Sequence, residues 1–212
     1  MDNPVLIFGA NALGRSAKEI FEGNGNVVYG FLDDNKSLHN QELDAVVILG
    51  NTDDDGFLKL IGKKCEAFVA IDDNKVRKSL VKMLQEKRKV QPANAIHKSA
   101  VVPESVFLGY GNQISMGVLA GAGSKIGNHT IIHPGVVIGS EAVIGDFVQI
   151  GIGCNINPGV VIEEDVFIGS GVTIVSGAVI GKGARIGAGS VVISSVKAGE
   201  TVFGNPAQLV KA

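Results

Sequence analysis

From Ile96 onward the chain carries an aliphatic side chain at every sixth position without a slip in register. Ile96, Val102, Leu108 and Ile114 begin the series, Ala120 is its one unbranched member, and Ile126 through Ile186 and then Val192 complete it. The following position is often glycine, as at Gly109, Gly121, Gly127, Gly139, Gly145, Gly151, Gly169, Gly181 and Gly187. Two positions before each next aliphatic stands a small or β-branched residue, for example Ala142, Cys154, Val160, Val172 and Ala178. A period of six suits neither a helix nor a plain strand. It suits a solenoid of very short parallel strands, each closed by a turn. The aliphatic fills a narrow interior, and the glycine after it is expected to supply the positive φ of the corner. Three hexads make one triangular coil, so about six coils stacked about 4.8 Å apart reach roughly 29 Å.

Residues 1–90 follow another rhythm. Val5–Phe8 is a short apolar run, followed by Gly9-Ala10-Asn11-Ala12-Leu13-Gly14 and a helical pattern through Phe21. Val27–Leu32 predicts a second strand ending at Asp33-Asp34, and Ala45–Leu49 and Ala67–Ile71 predict two more. A helix is expected near Asp55–Lys63. Another is expected over Asn74–Lys89, with Asn74 as N-cap and Val76, Leu80, Val81 and Leu84 on one face. Strands alternating with helices imply a small parallel α/β domain. Gln91-Pro92-Ala93-Asn94 marks the join, so the predicted organisation is a Rossmann-like domain over 1–90 and a β-solenoid with a C-terminal tail over 95–212.

Composition narrows the function. The 212 residues include 29 glycines, about twice the average share, which matches a chain of regular tight turns. Nineteen basic against 21 acidic residues argue against a nucleic-acid binder. No apolar run has the length of a membrane span, and the start MDNPVLIF lacks a basic leader. Cys65 and Cys154 lie far apart and fit no metal or redox spacing. A cytoplasmic protein is expected.

Several residues are candidates for chemistry. A glycine turn between strand and helix presents backbone N–H groups to a phosphate, and an acidic pair after the second strand meets a nucleotide's sugar or base. The turn here lacks the middle glycine, with Asn11 in its place, and an Asp-Asp pair also caps turns. His39, His97 and His129 read as surface histidines. His97 and His133 share a column two coils, roughly 10 Å, apart, too far to share a metal, so no metal site is expected. Glu141 follows Ser140 in the hexad IGSEAV, where a carboxylate can orient a base or bind an amine. Cys154 reads as packing. Lys182, Arg185 and Lys197 in the last coils are candidate phosphate contacts.

With IFGANALG, GFLDD, AIDDNKVR, AIHKSAVV and the ending GAGSVVISSVKAGETVFGNPAQ joined to unbroken hexads, the chain resembles the bacterial sugar O- and N-acyltransferases of the hexapeptide-repeat superfamily. That group includes sialic acid O-acetyltransferases and the N-acetyltransferase of UDP-bacillosamine synthesis. The resemblance implies a left-handed β-helix, a homotrimer, and acetyl-CoA lying between neighbouring helices. It implies a nucleotide-linked amino sugar contacting Asn11, Ala12, Leu13, Asp33, Asp34 and Asp72, and acyl-CoA passing Gln149, Ser170 and Ala188. It also implies a histidine base where this chain has Ser140, with the adjoining acid kept as Glu141. Two further family histidines are replaced by Gln149 and Leu13.

Acetyl transfer from CoA to an amine or hydroxyl of a nucleotide sugar is therefore the expected activity, in surface-glycan biosynthesis. An imidazole ordinarily titrates near pH 6.5, so His133, one hexad before Ser140, is the candidate replacement base. The alternative is a trimer that binds nucleotide sugar and CoA without turnover. A zinc hydratase on the same repeat fold needs about three histidines around one ion, which the spacing of His97, His129 and His133 does not supply.

Overall fold

The structure, a computed structural model, describes residues 3–210. The chain divides into two compact units, Met1–Lys98 and Ser99–Ala212.

In the first unit, β1 (Val5–Phe8) is followed by α1 (Ala12–Gly23), β2 (Val28–Leu32), β3 (Glu42–Leu43), β4 (Val46–Gly50), α2 (Asp55–Leu58), β5 (Glu66–Val69) and α3 (Asn74–Arg88). The sheet order is β3-β4-β2-β1-β5. All neighbours are parallel except the two-residue β3, which folds back on β4. β1 is an interior strand, between β2 and β5, and is buried at every position, as its unbroken apolar run requires of a strand covered on both faces. α1 turns Leu13, Ala17, Ile20 and Phe21 inward, and the Phe21 ring meets Phe68 edge-on at 5.6 Å. Chain order reverses at β1, with β2 on one side and β5 on the other. Ligands favour that crevice, beyond the carboxyl ends of the strands.

The capping residue of α3 is Asp73 rather than Asn74. Its carboxylate accepts from Lys75 N at 2.7 Å and Val76 N at 3.0 Å, which Asn74, one residue further in, cannot do. The Val76 and Lys75 N–H groups hold the Asp73 carboxyl below its ordinary range. Its stabilisation is therefore present at neutral pH and is lost as acidification passes that lowered value. Arg77 is 1% exposed, and its guanidinium donates to Ile71 O at 2.6 Å and to Asn74 Oδ1, which locks the turn from β5 into α3. α2 is a single turn, Asp55–Leu58, instead of a helix reaching Lys63. Gly62, at φ +78°, turns the chain and bonds its N–H to Cys65 O.

The second unit is a left-handed parallel β-helix with three walls. Wall one runs from Phe107–Leu108 through Lys125–Ile126, Val143–Ile144 and Val161–Ile162 to Val179–Ile180. Wall two carries Gln113–Ile114, Ile131–Ile132, Gln149–Ile150, Phe167–Ile168 and Arg185–Ile186, then Thr201–Gly204. Wall three runs from Leu119–Ala120 to Val191–Val192. Up to Arg185–Ile186 each strand pairs with the one 18 residues later, so like positions stack; Ile132 lies on Ile150 and Ile150 on Ile168, and the step from Arg185 to Thr201 is shorter, at 16 residues. The second residue of each strand points inward, and Ile126, Ile132, Ile150 and Ile168 are fully buried. The last strand, Ala207–Leu209, reverses and lies antiparallel to Thr201–Gly204.

The glycines divide into two sets, which corrects the expectation for the corner. Positive φ falls three residues after each inward aliphatic. Every sixth residue from Gly111 to Gly189 has φ between 56° and 71°. The glycine directly after the aliphatic is there for space instead. A Cβ on Gly145 would stand 2.8 Å from Glu163 C and Glu164 N of the next coil. Four corners are not glycine: His129, Glu141, Phe147 and Asp165. His129 is also not a surface residue. It is 4% exposed, and its ring lies 4.9 Å from that of Phe147 one coil on.

The interior is not wholly apolar. Asn112 Oδ1 accepts from Thr130 N and Oγ1, both at 2.8 Å, and Asn112 Nδ2 donates to Gly127 O at 2.9 Å, so this buried pair is satisfied. The Ser124 hydroxyl is equally buried and has no partner.

Two stability outcomes follow. Gly145→Ala is expected to destabilise the protein strongly, because backbone cannot move away from the new methyl. Gly159→Asn, at a corner with φ +68° and nothing within 4 Å, is expected to cost at most about 1 kcal/mol. Comparing the two by thermal melting checks the division of roles. Ser124→Ala is expected to raise the melting temperature, since an unmade buried hydrogen bond costs about 1–3 kcal/mol; an unchanged or lower value contradicts an orphaned hydroxyl.

Candidate active site

The glycine turn of the first unit is shaped by contact. Gly9 has φ +108°, a Cβ on it would meet Ala70 O, and one on Gly14 would meet Gly9 O. Asn11 fills the place of the missing middle glycine with a capping role. Its Oδ1 accepts from Leu13 N at 2.9 Å and Gly14 N at 3.0 Å, and its Nδ2 donates to Ala70 O at 3.1 Å. Those two helix N–H groups are thus already used, and the Leu13 side chain is buried in the core. The Asn11 and Ala12 N–H groups are what the turn can offer an anion.

The acidic pair splits between two tasks. Asp33 Oδ2 accepts from Ala10 N at 2.8 Å and so braces the turn, while its Oδ1 accepts from Asn35 N. Asp34, pointing the other way, accepts from Thr52 N at 2.9 Å and Thr52 Oγ1 at 2.8 Å through Oδ1. That carboxylate is on the rim of a cleft of about 450 Å³ beyond the ends of β2 and β4. Its other rim is Asp53, Lys75 and Ser79, and its apolar side is Val76, Leu80 and Met83 of α3. The sequence pattern did not mark Thr52, Lys75, Ser79 or Met83, because three separate segments meet there. Asp72 is exposed on the β5–α3 turn and does not line this cleft.

A second cleft, of about 160 Å³, lies on the β-helix and is lined by His133, Gln149, Ile152, Phe167, Gly169 and Ser170, with Gly151. Its origin is the spacing constraint. His133 stands in the column of residues that follow the inward aliphatic of wall two, and the next two members are Gly151 and Gly169. Two bare positions beyond an imidazole leave a hollow. Gln149 and Phe167 bound it from the wall, and Ile152 and Ser170 from the corner. Half-buried imidazole, amide and backbone groups face one another here, a set that can move a proton and polarise a carbonyl.

Three of the residues marked in the sequence, His133, Gln149 and Ser170, therefore come together. Ser140 and Glu141 do not join them within one chain. They occupy the following corner, off wall three, where both are exposed and Glu141 holds φ +58°. Ala188 is exposed one coil beyond Gly169, outside the cleft. Phe167 and Ile152 were missed, because a hexad pattern reads an outward strand residue and a corner residue alike as surface. Cys154 is fully buried, its thiol donates to Gly169 O at 3.1 Å, and burial raises its pKa, so it packs rather than reacts. Lys182 is paired with Glu164, whose carboxylate raises the ammonium's pKa. Among the described residues, no group of three His, Cys, Asp or Glu could hold a metal, and no helix is long and apolar enough to cross a membrane.

Residues 4–84 match the family model of the PglD N-terminal domain. Residues 141–176 and 159–194 match that of the bacterial transferase hexapeptide, in six repeats. Among solved structures, the chain is similar to a histidine-to-asparagine mutant of perosamine N-acetyltransferase from Caulobacter crescentus in complex with CoA and GDP-perosamine. The identity is 28% over 100% of this chain and 99% of that one, with a TM-score of 0.90. WeeI from Acinetobacter baumannii AYE is 27% identical over 98% of this chain and 99% of its own, with a TM-score of 0.86. The acetyltransferase domain of PglB from Neisseria gonorrhoeae FA1090, in complex with acetyl coenzyme A, shares the fold at 22% identity. It covers 99% of this chain and 100% of that one, with a TM-score of 0.89. No curated protein sequence matches. With a PglD-type N-terminal domain, bacterial transferase hexapeptide repeats and full-length structural likeness to perosamine N-acetyltransferase, the chain is similar throughout to the sugar N-acetyltransferases of the hexapeptide-repeat superfamily.

Proposed function

We propose that this protein transfers an acetyl group from acetyl-CoA to an amine of a nucleotide-linked sugar, as a cytoplasmic homotrimer, in bacterial surface-glycan biosynthesis. The observation that carries the reading is the cleft in which His133, Gln149, Phe167 and Ser170 surround two bare glycines. The full-length likeness to an N-acetyltransferase holding CoA and GDP-perosamine supports the substrates. Acetyl-CoA lies along wall two with its thioester in the cleft. The nucleotide sits at the carboxyl end of the N-terminal sheet, with phosphate oxygens at the Asn11 and Ala12 N–H groups and its remaining parts toward Asp33, Asp34 and Asp72. A neighbouring subunit brings Ser140 and Glu141 to the acceptor, which a single chain keeps away from His133.

The chemistry is direct attack. The sugar amine adds to the thioester carbonyl, the tetrahedral oxyanion is stabilised by backbone N–H groups and the Gln149 amide, and the CoA thiolate leaves. The amine must lose a proton, and a serine hydroxyl at position 140 does not accept one at neutral pH. His133 supplies that base.

Incubation with acetyl-CoA and a panel of GDP- and UDP-linked amino sugars, followed by release of free thiol, is the direct test. Thiol release with at least one sugar is expected, and none with any sugar favours a trimer that binds without turnover. With the accepted sugar, His133→Ala is expected to lower kcat by at least about 10²-fold. An inert His133→Ala together with a strongly activated Ser140→His sinks the relocated base.

The assembly has its own readout. Light scattering is expected to give three chains per particle. CoA at 100 times its Kd is expected to stabilise the protein by about 2.7 kcal/mol. A monomer with no melting shift in millimolar CoA contradicts the assignment.

A further inference from the structure

Three basic side chains stand near the last coils, and their surroundings separate them. Lys182 is committed to Glu164. Lys197 follows Val196, which bridges to Ile180 on wall one, away from the cleft. Arg185 alone projects from wall two. It is in register with Phe167, which is in register with Gln149. Its guanidinium carbon lies 4.6 Å from the centroid of the Phe167 ring, and that ring is itself a side of the cleft. Arg185 is exposed, and no carboxylate among the described residues pairs with it. A guanidinium resting on an aromatic face keeps its charge and its donors, and its direction is set in advance.

The spacing along the wall identifies what this cation meets. Arg185 is three coils beyond the strand that precedes His133, about 14 Å at the strand-to-strand distance. An extended pantetheine arm spans about 15 Å from sulfur to its first phosphate, at the rise of an extended chain. With the thioester carbonyl beside His133 and Gln149, the arm runs over Gly151 and Gly169, where no side chain obstructs it. It delivers the pyrophosphate to the coil of Arg185.

We propose that Arg185, held on the ring of Phe167, binds the pyrophosphate of the acyl-CoA donor and so fixes the depth of the thioester in the cleft. This rests on the acyl-CoA reading above. A planar fork facing two phosphate oxygens is the geometry in which arginine surpasses lysine, so Arg185→Lys keeps the charge but loses the paired bonds. Removing the ring, as in Phe167→Leu, leaves the charge but not its support.

The test is calorimetric titration of the wild type, Arg185→Gln, Arg185→Lys and Phe167→Leu with CoA, dephospho-CoA and pantetheine, each variant first shown to melt like the wild type. Arg185→Gln is expected to bind CoA and dephospho-CoA about tenfold more weakly, with pantetheine affinity unaltered. Arg185→Lys and Phe167→Leu are expected to fall between wild type and Arg185→Gln, and the difference should shrink in high salt. Equal CoA affinity in wild type and Arg185→Gln overturns the proposal while leaving the acyl-CoA reading standing. A loss seen with CoA but not dephospho-CoA also overturns it, by moving the contact to the 3′-phosphate. A wild type that binds neither CoA nor dephospho-CoA overturns both.

Discussion

Everything in the β-helix depends on the distance between one coil and the next. Parallel strands must lie at hydrogen-bonding separation, so each residue has another directly above it 18 positions later. Where the position after the inward aliphatic is glycine, as at Gly145, Gly151 and Gly169, the backbone of the next coil comes so close that a methyl group has no room. At the corner two residues further on there is space, and the requirement is a left-handed turn. Two unrelated demands therefore select glycine at two phases of one hexad. The inward isoleucines supply the burial that holds the stack together.

The cleft is made by that same constraint. Most β-helix surfaces are even, because outward residues repeat. Where His133 occupies a column continued by Gly151, Gly169 and Gly187, one side chain is followed by bare positions, and the wall dips at the first two of them. The four non-glycine corners are the converse case. A side chain there sets left-handed strain, of order 1–2 kcal/mol, against what it contributes. For His129 and Phe147 the return is visible as a ring stack, and for Glu141 it is a carboxylate beside Ser140.

The β-helix was legible because one residue in six repeats a chemical type, and the structure has an inward side chain at those positions. The N-terminal strands were legible as apolar runs, displaced by a residue or two at their ends. Asp73 displaced Asn74 as cap because both residue types cap helices, and only geometry shows whose oxygen reaches Lys75 N and Val76 N. The short β3 carries no periodic signal in two residues. His133, Gln149 and Ser170 could be named from the sequence, but their meeting could not be derived from period alone, since it depends on which outward residues flank the bare glycines. Thr52, Lys75 and Met83 were hidden because their cleft is built from three distant segments.

The reversed last strand has a consequence for the molecule's company. A stack of parallel strands ends in exposed N–H and C=O groups that match the groups at the start of another copy, and such ends invite head-to-tail filaments. On wall two the chain folds Ala207–Leu209 back against Thr201–Gly204, with Val202 facing Leu209 and Gly204 facing Ala207. The direction of the final strand is then opposite to all those beneath it. On that wall an incoming coil would meet a strand of the opposite polarity to the one on which the repeat is propagated.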